Sequence, residues 1–192
     1  IRAIAGDWSR VRGIGVGAPG PLDPWRGVIL QAPNLPGMDD FPLKARLEKE
    51  FGVPASVGND ANLAALAEQR YGAGRGTREM IYITISTGIG GGIIANNQLL
   101  LGARGFAGEV GHQTLAANGV RCNCGNVGCL ETLAAGPAIE RAARDALALG
   151  RASILRALAG DDPEKITGAL VTRAAQAGDA LARELYARAG NY

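Results

Sequence analysis

No apolar run in this 192-residue sequence approaches the roughly 20 residues that a membrane-spanning helix needs, so no membrane partner is expected. A dominant charge sign is also lacking. Lys and Arg number 20 against 18 Asp and Glu, interspersed, for a net charge of +2. That balance excludes a basic nucleic-acid face and strong attraction to a lipid surface. The opening residues, IRAIAGDWSRV, lack a basic head followed by an apolar block, so no secretory leader is expected. Cysteine occurs only three times and histidine once. An odd number of closely spaced cysteines argues against a disulfide framework and for a reducing, cytoplasmic compartment. No internal repeat is present.

Hydrophobic residues make up 47% of the chain, enough for one good core or two smaller lobes. The 29 glycines concentrate in motif-like places and suggest tight turns and close backbone approach to ligands. Val11 to Gly17 predicts a short buried strand, and Val28 to Leu30 another. Between them, Pro19, Pro21 and Pro24 forbid a central strand. That loop is either a rigid turn or a backbone laid against a ligand, which Gly20 permits. Asn34 stands between prolines, where its amide can be aimed rigidly. Leu43, Leu47 and Phe51 at helical spacing predict a helix over Phe41 to Phe51, with Asp39 and Asp40 as capping candidates and Gly52 as its stop. Val53 to Val57 is the next strand.

GNDAN follows at residues 58–62, a strand-to-helix junction whose helix runs to Tyr71. A cap needs only one of Asn59 and Asp60. The sharper reading uses both: Asn59 orients a ligand hydroxyl and Asp60 takes its proton, its anion favoured at a helix N-terminus. Met80 to Thr87 predicts a strand, and TGIGGGIIANNQLL a hairpin turning at Asn96-Asn97. A strand feeding a hairpin is neither a Rossmann fingerprint nor a Walker loop. Thr87 and Gly88 either form a nest for a phosphate or simply close a tight turn. Helices are expected from Pro137 to about Leu149, from Asp162-Pro163 onward through PEKITGALVTRAAQAG, and after Asp179, with a short helix or turn at Ile154 to Leu158.

The densest chemistry lies in residues 105–131, GFAGEVGHQTLAANGVRCNCGNVGCLE. The sole histidine, His112, and all the cysteines, Cys122, Cys124 and Cys129, share it with Glu109 and Glu131. Thiolates and imidazole are zinc's preferred ligands, and three Cys plus one His make a closed, structural tetrahedral site. The plainer alternative is a set of buried unpaired thiols. His112 is expected to arrive from a preceding strand. With one ring nitrogen on zinc, the other is left as an N–H donor able to reach a sugar hydroxyl. Glu109 and Glu131 are either surface carboxylates or receivers for the same polyhydroxylated ligand.

EVGH and CNCGNVGCLE, with GVGAPGP, NDAN and STGIGGG in this order and spacing, resemble the ROK family of repressors, open reading frames and kinases. The resemblance runs from about Gly13 to Pro137. GFAGEVGH and LETLAAGPAI are most similar to its bacterial glucokinase-like members. It implies an α/β fold of the actin-like ATPase type, the class of hexokinase and actin, with two lobes around a cleft and an inserted structural zinc loop. Residues 1–77 would belong to the N-terminal lobe and residues 78–192 to the C-terminal lobe. It implies phosphoryl transfer from ATP, carried with Mg2+, to a hexose hydroxyl, with Asp60 as the base. Asn59, Asp60, Glu109, His112 and Glu131 would hold the sugar, joined by Gly20 and Asn34 from the loops. Thr87 and Gly88 would approach the phosphates, and His112, Cys122, Cys124 and Cys129 would bind zinc. A homodimer is the family expectation.

Two departures stand beside these matches. Kinases of the family carry a phosphate loop resembling Asp-x-Gly-Gly-Thr, and AGDWS at residues 5–9 does not match it. A glycine-rich adenosine-binding segment is expected beyond Tyr192. The chain is therefore expected to be part of a longer protein and not to turn over ATP alone. The alternative activity is the sugar-sensing domain of a ROK repressor, with DNA bound by a separate helix-turn-helix. A third reading is a zinc-stabilised binding module without catalysis.

Overall fold

The computed structural model describes residues 6–31 and 35–192. Asn34 lies outside the described residues. The chain divides into two compact units. One holds residues up to Tyr82 together with Gly91–Gly108, and the other holds Ile83–Gly90 together with Glu109–Tyr192.

In the first unit, β1 (Ile14–Ala18) pairs in parallel with β4 (Ala55–Asn59), in register from Ile14 opposite Ala55 to Ala18 opposite Asn59. Parallel neighbours need a long crossover. Here it carries the short antiparallel pair β2 (Leu22–Asp23) and β3 (Val28–Ile29), then helix α1 (Leu43–Phe51). Ala18, Leu22, Ile29 and Val57 form the buried core, with Met38, Phe41 and Leu43 packed against it. The sequence placed the α1 cap at Asp39 or Asp40, but Pro42 occupies that position and no side chain caps the helix. Pro42 supplies no N–H, so the helix starts behind it. Gly52 ends it in the left-handed region, at φ 69°.

Helix α2 (Asp60–Tyr71) follows β4 directly. Strands β5 (Met80–Ile85), β6 (Ile89–Ala95) and β7 (Gln98–Leu99) form one sheet in that order. Asn96 and Asn97 turn the β6–β7 hairpin with φ of 50° and 66°, the left-handed pair such a turn requires. Gly92 explains part of the glycine run: a Cβ there would collide with the Ala65 side chain of α2. That glycine serves strand-on-helix packing.

The second unit is mostly helical: α3 (Leu130–Ala134), α4 (Gly136–Ala148), α5 (Leu155–Leu158), α6 (Gly168–Gln176) and α7 (Ala180–Gly190). Its core is aliphatic and alanine-rich, centred on Ala143, Leu155, Ile166, Val171, Ala174, Leu181 and Ala182. Small alanines let the helices approach closely. The single helix expected from Pro163 is broken. A 3-10 turn covers Pro163–Lys165, and α6 starts only after Thr167, whose side chain caps it. Ile166 is fully buried between the two pieces, which is what the break achieves. No helix among the described residues is long and apolar enough to cross a membrane.

Candidate functional site

The cysteine segment folds on itself through backbone bonds. Cys122 N–H donates to Asn126 O at 2.8 Å, Gly128 N–H to Val120 O at 2.9 Å, and Leu115 N–H to Gly128 O at 2.9 Å. His112 stands on a 3-10 turn, Val110–His112, and not on the strand that the sequence suggested. Gly111 lies at a close approach to the preceding hairpin. A Cβ at this position would strike the Ile89 carbonyl oxygen, so the backbone of the turn packs directly against the start of β6.

This folding gathers His112, Cys122, Cys124 and Cys129, whose ligand atoms all lie within 4.8 Å of one another. Cys122 Sγ is 3.6 Å from His112 Nδ1, and Cys124 Sγ is 3.7 Å from Cys129 Sγ. Tetrahedral zinc bonds place S and N ligands about 3.5 Å apart and two S ligands about 3.8 Å apart. The two distances are opposite edges of such a tetrahedron. The donor set and its spacing therefore fit a zinc ion. Burial foremost, then the neighbouring sulfurs, push Cys129 up to about 12, and burial also raises Cys122. Burial acts upward on Cys124 too, but the Asn126 backbone N–H and the two sulfur neighbours outweigh it and lower that thiol. A bound metal deprotonates coordinating thiols outright.

With Nδ1 toward the sulfurs, the outer ring nitrogen of His112 faces Glu109, 3.9 Å from Oε2. Glu131 lies in the first turn of α3. Its Oε2 accepts the Ile89 N–H at 2.9 Å, and its Oε1 is 3.8 Å from Cys122 Sγ. Three of the residues assigned to the sugar thus surround the metal-type cluster in one unit.

Asn59 and Asp60 belong to the other unit. Asn59 is the cap of α2, its Oδ1 accepting the Asn62 N–H at 3.1 Å. Asp60 is exposed, and its Oδ1 accepts the Ala61 N–H at 2.8 Å. Both residues sit at the carboxyl ends of a parallel strand pair, the usual ligand side of such sheets. Gly20 lies two residues beyond Ala18, the register partner of Asn59, in a loop with a cis Gly20–Pro21 bond.

Thr87 and Gly88 part company. Thr87 lines a cavity of about 490 Å³ with Ser86, Gly136, Glu140, Thr167 and Tyr186. Gly88 packs against the Glu131 carboxylate instead. The sequence reading missed the rest of this cavity. Its walls include the starts of α4 and α6 at Gly136 and Gly168, and helix N-termini favour anions. The two helix starts were legible, but their convergence on one space was not.

The fold and these residue groups define an α/β protein built around a cysteine-rich, metal-type loop. The sequence model of the ROK family matches residues 2–192. The chain belongs to the ROK family. It is 47% identical over 171 residues to a glucokinase of Halalkalibacterium halodurans, covering 88% of this chain and 51% of that protein. It is 35% identical over 173 residues to a xylose repressor of Caldicellulosiruptor bescii, covering 90% of this chain and 43% of that protein. Among solved structures, the Streptomyces griseus ROK glucokinase in complex with glucose and AMPPNP matches with a TM-score of 0.81 at 40% identity, over 96% of this chain and 60% of that one. A ROK transcriptional regulator, a homologue of the E. coli MLC protein, matches with a TM-score of 0.82 at 34% identity, over 92% and 43%. The chain spans about half the length of the curated relatives it matches.

Proposed function

We propose that the protein to which this chain belongs is a cytoplasmic ROK sugar kinase that transfers the γ-phosphoryl group of ATP, carried with Mg2+, to a hexose hydroxyl. The observation that carries this reading is the division of labour at the α2 junction. Asn59 caps α2 through the Asn62 N–H, and Asp60, although its Oδ1 accepts the neighbouring Ala61 N–H, presents an exposed carboxylate. Asp60 takes the hydroxyl proton as the sugar oxygen attacks the γ-phosphorus. The β–γ bond breaks and ADP leaves. Catalysis of this kind is mostly positioning and charge neutralisation.

Asn59, Glu109, His112 and Glu131 are assigned to holding the sugar, with Gly20 and Asn34 as further candidates from the loops. Thr87, at its cavity, and Gly88, in the turn behind it, are assigned to the phosphate side. His112, Cys122, Cys124 and Cys129 would hold zinc, which supplies structure and no Lewis acidity because four protein ligands leave no open position. Residues 1–77 and 78–192 are assigned to the N- and C-terminal lobes of the parent's actin-like fold, with the zinc loop in the latter. A homodimer belongs to the same reading.

The repressor relatives support a second reading, in which the same residues sense a sugar and a separate segment binds DNA. The test is hexose-dependent release of ADP by the full-length protein with MgATP. Turnover supports the kinase. No turnover, with operator binding relieved by a sugar, replaces it with the repressor.

A further inference from the structure

The turn that carries Thr87, at residues 86–89, is held from two sides. Ser86 N–H closes it onto Gly88 O at 2.9 Å, and Ser86 O accepts the Gly136 N–H at the start of α4, also at 2.9 Å. At its far end the Ile89 N–H is accepted by Glu131 Oε2 at 2.9 Å. Gly88 lies between these anchors, and a Cβ there would collide with the same carboxylate oxygen. Ile89 is buried, whereas Ser86 and Thr87 are exposed. The turn therefore offers Ser86 and Thr87 to the cavity that they line with Gly136 and Thr167, while Glu131 grips its inner edge.

Glu131 is itself set on a fixed frame. Leu130 N–H donates to Gln113 O at 3.0 Å, and Ala135 N–H donates to Glu131 O at 3.1 Å. Cys129, fully buried, directly precedes α3. An ionised acceptor on a backbone N–H makes a short and strong link. A ligand-facing turn held in this way is ordered before its ligand arrives, and such preorganisation raises affinity by lowering the cost of immobilising the loop. A contact with sugar alone requires neither the Ile89 N–H aimed at this carboxylate nor the missing side chain at Gly88.

We propose that Glu131 is a positioning residue for the phosphate end of the nucleotide, fixing the turn at residues 86–89 through the Ile89 N–H and the close packing of Gly88. The inference rests on the kinase reading, in which Thr87 and Gly88 lie on the phosphate side. The test is calorimetric titration of the full-length protein with AMPPNP and Mg2+, so that no turnover is scored. Glu131→Gln keeps an oxygen for the Ile89 N–H, and Glu131→Ala removes it. Gly88→Ala keeps Glu131 but drives its flexible tip off that N–H. The expected AMPPNP affinity is within about threefold of wild type in Glu131→Gln and weaker by about tenfold or more in Glu131→Ala and in Gly88→Ala. The double variant Gly88→Ala/Glu131→Ala should be no weaker than either single one, because both remove the same contact. Rescue by Gln and non-additive losses are results that general loosening of the fold does not produce. Equal losses in Glu131→Gln and Glu131→Ala overturn the proposal, because the charge and not the Ile89 contact is then responsible. Additive losses in the double variant overturn it too, as a direct effect of the residue 88 methyl group on the nucleotide. Wild-type binding that both single variants leave unchanged overturns this inference alone. Absence of AMPPNP binding by the wild type overturns the kinase reading and this inference with it.

Discussion

Glu131 accepts the backbone N–H of Ile89 across 42 positions of sequence, at 2.9 Å. Its other oxygen lies 3.8 Å from Cys122 Sγ. One carboxylate therefore touches the hairpin that carries Thr87 and Gly88 and the loop that carries the metal-type cluster. Glu131→Gln keeps an oxygen for the Ile89 N–H and removes only the charge. Glu131→Ala removes both. If the charge serves a sugar, both variants lose hexose affinity, by about tenfold or more, and Glu131→Gln melts close to the wild type. Unchanged hexose affinity in Glu131→Ala would make the residue purely structural.

Zinc content is checked by elemental analysis of protein purified without chelator. About one equivalent is expected, from the tetrahedral edges of 3.6 and 3.7 Å. Cys124→Ser removes the exposed ligand of the set and should lose the metal with a marked drop in melting temperature, because structural zinc contributes directly to folding. Full melting temperature in metal-free protein would show that the thiols are ordinary packing residues.

Asp60→Asn tests the base. In the full-length protein, kcat should fall by about 10²- to 10⁴-fold, the usual worth of general base catalysis, with hexose binding retained. The helix should be unaffected, because Asn59 still caps it and the new Asn keeps an oxygen for the Ala61 N–H. Phosphorylation at the wild-type rate would reduce Asp60 to a helix-start residue.

The sequence made the chemistry legible wherever residue type and short spacing suffice. The Asn59-Asp60 junction and the Asn96-Asn97 turn each sit within a few residues of chain, where local rules reach, and His112 with the three cysteines falls within one 18-residue stretch. Contacts at long separation were not legible. Nothing in EVGH says that Gly111 abuts the Ile89 carbonyl. Nothing in the C-terminal helices says that Gly136 and Gly168 open onto one cavity. The α1 cap failed for a related reason: Asp39 and Asp40 have capping chemistry, but Pro42 stands between them and the first turn.

Gly111 supplies a packing test. A methyl group there must displace the Ile89 backbone or the turn that carries His112. Gly111→Ala is expected to cost about 1–3 kcal/mol in stability, the usual range for forced overpacking. It should also weaken metal retention, because His112 is the next residue. Denaturant melts with and without added zinc check both. Wild-type stability would mean that the turn relaxes freely.

The last test concerns the helical unit and its pH dependence. Asp179 caps α7 through the Ala182 N–H at 2.9 Å, and also accepts the Ile154 N–H at 2.9 Å and the Ser153 hydroxyl at 3.0 Å. Burial on its own would raise this carboxyl. The Ala182 and Ile154 N–H groups and the Ser153 hydroxyl overcome that and hold it below its usual range. A lowered folded-state value means that the unfolded chain binds the proton more readily. The stabilisation is therefore complete above the unfolded value of about 4 and drains away as pH falls through the folded one. Asp179→Ala should lower stability by about 1 kcal/mol at neutral pH, as loss of a cap does. The difference from wild type should shrink as the pH is taken below about 4. Urea melts of both proteins at several pH values measure it. A gap that stays constant down to the acid limit would show that packing around α7, and not the ionised cap, accounts for the loss.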